Sequence, residues 1–152
     1  MDLGTAFACA ALRHGGAEAL VDGENRCTYA EWYGEIRAVA GGLRHLGLNA
    51  GDHFVVVMRN RHEMATLYWA SQMLGLIFTP VSWRSSTDEI AYCLQDAEAA
   101  AIAYDGAAGA GVPDAAADGS AGARHAVRPH LPLHRLRRHR CRDHGCGGKT
   151  SG

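Results

Sequence analysis

Arg84 is the residue in this chain best placed to bind an anion. It follows Ser82 and Trp83 at the end of an apolar run, residues 77–81, and precedes Ser86, which has the spacing of a helix cap. A guanidinium there stands beside the amides of a helix N-terminus, and the two together suit a phosphate. Arg59 and Asn60 follow an earlier apolar run in the same way, and Asp105 follows a later one. In an open parallel sheet ligands collect beyond the carboxyl ends of the strands, so all of these are candidate contact positions. Each also has a plainer use. Arg84 can pair with Asp88 or Glu89, Trp83 can pack, and Asn60 can cap the helix that contains Glu63.

Other patterns suggest chemistry and fail on spacing. Gly106, Gly109 and Gly111 follow a strand-like run but lack the G-x-G-x-x-G order, and Pro113 with Asp114 interrupts the helix such a loop must open. Gly148-Lys149-Thr150 ends like a phosphate-binding loop, yet Asp143 occupies the required earlier glycine position. His139, Cys141, His144 and Cys146 are zinc-ligand types, but their spacing matches no common finger and no apolar residues surround them to exclude water. The arginine-rich run over 135–142 can meet nucleic-acid phosphates nonspecifically and lacks interleaved aromatics. No metal site and no specific nucleic-acid site is assigned.

The elements that position these residues are signalled by caps and periodicity. Thr28 with Glu31 forms a capping box, and Trp32, Ile36, Val39, Leu43 and Leu46 then recur at three- and four-residue spacing before Gly47. Asn60 with Glu63 is expected to open a second helix that Gly75 ends, and Ser86 with Glu89 a third; residues 6–13 suggest a fourth. Short apolar runs at 19–22, 54–58, 77–81 and 99–104 read as strands. The run at 54–58 is continuous rather than alternating, as in a parallel strand covered on both faces. Pro80 limits its run to a short strand or a strand end. Strand, helix, strand, helix, strand over 53–104 gives an α/β class with a mostly parallel sheet and right-handed crossovers.

Composition divides the chain near residue 105. All three Trp, five Tyr and three Phe lie at or before Tyr104. Beyond Gly106 the large aliphatics are only Val112, Val127, Leu131, Leu133 and Leu136, too little apolar volume to offset the entropy of ordering. Residues 1–105 are therefore expected to hold the core and 106–152 to be a disordered tail, Gly/Ala-rich and then Arg/His-rich. The front carries seven basic against thirteen acidic residues, the stretch 124–149 eight basic against one acidic. Only the tail has the charge to attract polyanions. Cys9, Cys27, Cys93, Cys141 and Cys146 show no paired framework and read as thiols of a reducing compartment. No segment is long and apolar enough to span a bilayer, and no basic residue precedes the apolar stretch 6–12, so a cytoplasmic location is expected.

The ordered residues resemble the opening of the acyl-adenylate-forming (AMP-binding) enzymes, and most of all bacterial acyl-CoA synthetases for fatty or aromatic acids. The match is carried by Ala19-Leu20-Val21-Asp22, Thr28-Tyr29-Ala30-Glu31, Gly41-Gly42-Leu43 with Gly47, and Gly51-Asp52. It continues through Asn60 with Glu63, Ala70, Gly75, Thr79-Pro80-Val81, Trp83-Arg84, Asp88-Glu89-Ile90, Tyr92 and Leu94. The resemblance implies a partial N-terminal subdomain of an AMP-binding synthetase-like fold over residues 1–105. It also implies a two-step ligase using ATP, magnesium, a carboxylic acid and coenzyme A, with Arg84 near a coenzyme A phosphate. The family's Ser/Thr/Gly-rich loop ending in Pro-Lys-Gly, its later nucleotide motifs and its catalytic lysine are not in these residues; Lys149 is the only lysine and matches none of them. No catalytic residue is assigned, no cofactor is expected for this fragment, and it is expected to be inactive alone. A frameshift near codon 106 would produce such a tail. The competing expectations are a non-enzymatic α/β interaction module that self-associates through uncovered apolar surface, and a basic-tail binder of nucleic acid or metal.

Overall fold

The protein is described from a computed structural model that places residues 2–106, 112 and 125–127. The expected disordered tail lies outside the described residues apart from Gly106, Val112 and 125–127. So do the glycine pattern beyond Gly106, the His/Cys cluster, the arginine-rich run and the segment around Lys149.

Helix α1 (Leu3–Arg13) starts at Asp2, whose carboxylate accepts from the Thr5 amide at 2.7 Å. Strands β1 (Glu18–Asp22) and β2 (Asn25–Thr28) form an antiparallel hairpin, with Asp22 opposite Asn25 and Gly23 turning at φ +63°. The sequence reading finds the first of these strands and misses the second, whose polar residues give no apolar run. Helix α2 (Tyr29–His45) begins with the expected capping box of Thr28 and Glu31. Glu31 accepts the Thr28 amide and hydroxyl, which lowers its pKa.

Strand β3 (His53–Val57), helix α3 (His62–Leu74), strand β4 (Ile77–Val81), helix α4 (Thr87–Asp96) and strand β5 (Ala101–Tyr104) follow in alternation. A short strand, β6 (His125–Val127), pairs parallel with β5 and is not signalled by any apolar period. The four strands lie in the order β4-β3-β5-β6, every neighbouring pair parallel. Phe54, Val56 and Met58 face a core shared with α1, α2 and α3; Val55 and Val57 face a second core with Ile90 and Leu94 of α4. Val112 is buried in the second core. Among the described residues no helix is long and apolar enough to cross a membrane.

The three-helix core is joined by aromatic and polar contacts. Phe7 stacks on Trp69 at 4.5 Å and meets Trp32 edge-on at 5.3 Å. The Trp32 indole N–H donates to Thr66 Oγ1 at 2.9 Å, so this buried polar pair is satisfied internally. Helix α1 approaches α3 closely at Gly4, where a Cβ would stand 2.9 Å from the Gln72 carbonyl oxygen.

One cap differs from expectation. Asn60 does not cap α3: the helix starts later, with Arg61 at the cap position and no side-chain cap bond. The His62 amide instead donates to Asp22 at 3.1 Å, a carboxylate that is forty residues away in sequence at the end of β1. His62 also meets Glu35 of α2 through Nε2 at 2.5 Å. The turn that begins α3 is thereby tied to the hairpin and to α2.

These ties give two expected outcomes. Asp22→Ala removes a carboxylate from a helix start and should cost about 1 kcal/mol of stability, read as a lower urea midpoint with unchanged slope. An unchanged midpoint would show the long-range cap to be dispensable. The Glu35 hydrogen bond raises the His62 pKa above 6.5, with burial opposing and the charges of Glu35, Glu63 and Asp22 reinforcing. The histidine is thus protonated more readily folded than unfolded, so its contribution is complete below about pH 6.5 and fades as pH rises through the raised value. Unfolding titrations of wild type and His62→Gln should accordingly differ more at pH 6 than at pH 8.5; a gap that widens with pH would contradict the assignment.

Candidate functional site

Helix α3 leaves the end of β3 towards one face of the sheet, and α4 leaves the end of β4 towards the other. Neighbouring chains that part in this way open a crevice at the carboxyl edge, the place where open α/β sheets receive ligands. The residues around that crevice are Arg59, Ser82, Trp83, Arg84 and Asp105.

Arg84 lies with its Cζ 4.2 Å from the centre of the Trp83 ring. The Arg84 amide donates to Ser82 Oγ at 3.2 Å, which fixes the backbone of the short connection into α4. Trp83 is half-buried and packs against the second core beside Val81. Arg59 reaches the same indole from the end of β3, with its Cζ 6.0 Å from the ring centre. Its Nε and its backbone amide both stand 3.5 Å from Asp105 Oδ2, at the end of β5. The structure therefore brings together four expected strand-end residues, Arg59, Trp83, Arg84 and Asp105. Trp83 takes the plainer of its expected uses, packing against the core, and also carries the Arg84 guanidinium on its ring.

Helix α4 contributes less positive potential than its position suggests. Ser86 and Glu89 form the expected capping box, and the Ser86 amide with the Ser86 hydroxyl lowers the Glu89 pKa, so that carboxylate is charged at neutral pH. Asp88 lies in the same first turn. Two carboxylates offset much of the helix dipole there, and Arg84 is left as the principal cation. Among the described residues no ion pair joins Arg84 to Asp88 or Glu89.

Asn60 belongs to a separate feature, a groove of about 690 Å³ on the α3 side of β4. Leu20, Met64, Tyr68, Phe78 and Pro80 line it, with His62 at its polar margin. None of the five crevice residues contributes to it. Its lining is mainly apolar, and Asp22 and Arg61 also contribute to it. No group of three or more His, Cys, Asp or Glu among the described residues is arranged to hold a metal ion.

With this geometry in view, similarity to known proteins is informative. The family model described as AMP-binding enzyme matches residues 7–143, extending beyond Asp105 to include β6. A long-chain-fatty-acid–CoA ligase of Mycobacterium bovis, FadD15, is 37% identical over 86 residues, 56% of this chain and 14% of that protein. Protein Y of Streptomyces griseus is 33% identical over 96 residues, 63% of this chain and 31% of that protein. Among solved structures, a fatty acyl CoA synthetase of Mycobacterium tuberculosis superimposes with a TM-score of 0.81 at 23% identity, over 90% of this chain and 28% of that one. The chain thus spans well under half of the proteins it matches. Its parallel sheet, the helices on both faces and a family match over most of its length agree: the chain belongs to the AMP-binding enzyme family.

Proposed function

We propose that this chain is an N-terminal part of an ATP-dependent carboxylate–CoA ligase and supplies a contact for coenzyme A. The complete reaction joins a carboxylic acid to AMP with release of pyrophosphate. The coenzyme A thiol then displaces AMP to form a thioester. A long-chain fatty acid is the acid suggested by the FadD15 similarity. Magnesium would accompany ATP at residues other than these.

The observation that carries the reading is Arg84, stacked on Trp83 beyond the end of β4 and without an ion-pair partner among the described residues. A guanidinium presents several N–H donors in a plane and suits a phosphate of the coenzyme A nucleotide. Cys9 and Cys93 are free thiols, which supports a reducing, cytoplasmic setting.

Adenylate formation needs groups aimed at the charge that develops on the transferring phosphoryl oxygens. Neither the crevice nor the groove offers a lysine or a glycine-rich loop for that purpose. The 152-residue chain should accordingly show no carboxylate-dependent ATP–pyrophosphate exchange above a protein-free blank. Clear exchange would place a complete adenylation site within it. Coenzyme A should bind the wild-type chain about fivefold more tightly than Arg84→Ala, the scale expected of one solvent-accessible charge-assisted contact. Calorimetric titration at low salt measures this, and equal affinities would remove Arg84 from the ligand contact.

A further inference from the structure

We propose that Trp83 is a positioning residue for phosphate recognition: it holds the Arg84 guanidinium over its indole before the ligand arrives. The inference rests on the reading of Arg84 as a coenzyme A phosphate contact. It adds a role for a neighbour that touches no phosphate itself.

A lone surface arginine lacks a fixed orientation. Arg84 is exposed, and a long exposed side chain samples many rotamers that binding must suppress. The indole face 4.2 Å from its Cζ attracts the cation and restricts that sampling in advance. Trp83 can do this because it is itself fixed. It packs against the second core beside Val81, and the Arg84 backbone is held by the hydrogen bond its amide donates to Ser82 Oγ.

Two guanidinium groups share this indole, and their surroundings divide their roles. Arg59 meets the Asp105 carboxylate at 3.5 Å, so much of its charge is answered within the protein. Arg84 has no such carboxylate among the described residues. Its positive charge is available to an anion, and Arg59 stands near the same ring from the end of β3.

The test compares coenzyme A with dephospho-coenzyme A, which differ by one phosphate monoester, on the full chain. Wild type should prefer coenzyme A, and Arg84→Ala should lose that preference. Trp83→Ala should reduce the preference by about two- to threefold, a part of what Arg84→Ala loses, whereas Trp83→Phe, which keeps a ring face, should retain most of it. An unchanged preference in Trp83→Ala, with the Arg84→Ala loss still seen, would overturn the role of Trp83 and leave the Arg84 contact standing. Equal weakening towards both ligands would also overturn it, since general structural damage acts on both. Absence of any preference in wild type would remove the contact of Arg84 with the phosphate monoester, which this proposal requires, and the positioning role with it. If Trp83→Ala fails to fold, Trp83→Phe and the Arg84 side-chain proton resonances decide the matter. A ring-current upfield shift of those protons in wild type is expected, and random-coil values would refute the stack.

Discussion

The two-sided burial of β3 is the constraint on which the rest of this structure depends. Phe54, Val55, Val56 and Val57 are all fully buried, and successive side chains point to opposite faces of the sheet. Each face must therefore be covered by its own layer. Phe54 and Val56 meet the α1–α2–α3 layer, and Val55 and Val57 meet α4. Burial of each such side chain contributes about 1.5–3 kcal/mol, so leaving either face open would be costly in a domain of ordinary marginal stability. A helix on each side of one central strand requires the connections after β3 and β4 to part, and their parting opens the crevice.

Strand register then decides which residues meet there. Val57 is paired with Val81 and also with Tyr104. Counted from those pairs, Arg59 and Trp83 each stand two residues beyond, and Asp105 stands one beyond. The proximity of Arg59 to Trp83 and to Asp105 is thus a consequence of parallel pairing, and a slip of one residue would turn the side chains to opposite faces. Pro80 is compatible with this arrangement because β4 lies at the sheet edge, where one side of the strand needs no ladder partner.

Local signals in the sequence were read correctly where the physics is local. The Thr28/Glu31 and Ser86/Glu89 boxes close within one turn of helix, and both form. Gly75 ends α3 at φ +70°, where a residue with a Cβ would be strained. The Asn60 cap failed for a complementary reason: Asp22 arrives through tertiary structure and satisfies the His62 amide, and the helix begins one residue later than the local pattern suggests. Strand β2 is held by its partner β1 rather than by a buried face of its own, and Asn25, Arg26 and Thr28 leave no hydrophobic trace of it. Of the strand-end cluster, the position of Arg84 was legible because a strand end and a helix cap flank it. The indole beneath it and the Arg59–Asp105 pair depend on which strands are neighbours, which spacing along one chain does not state.

In the proposed reading, anchoring and chemistry are separate in this part of the fold. A coenzyme A phosphate held by Arg84 would be distant in covalent terms from the thiol that reacts, and its charge would not change as the thioester forms. Such a contact stabilises ground state and transition state alike, and on its own it lowers the concentration needed for saturation without accelerating the chemical step. It becomes catalytically useful only through orientation, when the rest of a ligase fixes the other end of the same molecule. Rigidity at Arg84 then matters more than strength, because a mobile anchor transmits no orientation. A guanidinium laid on an indole that is itself seated in the second core meets that requirement with side chains from a single strand-to-helix connection. This is the reason to regard Ser82, Trp83 and Arg84 as one unit rather than as a cationic residue with incidental neighbours.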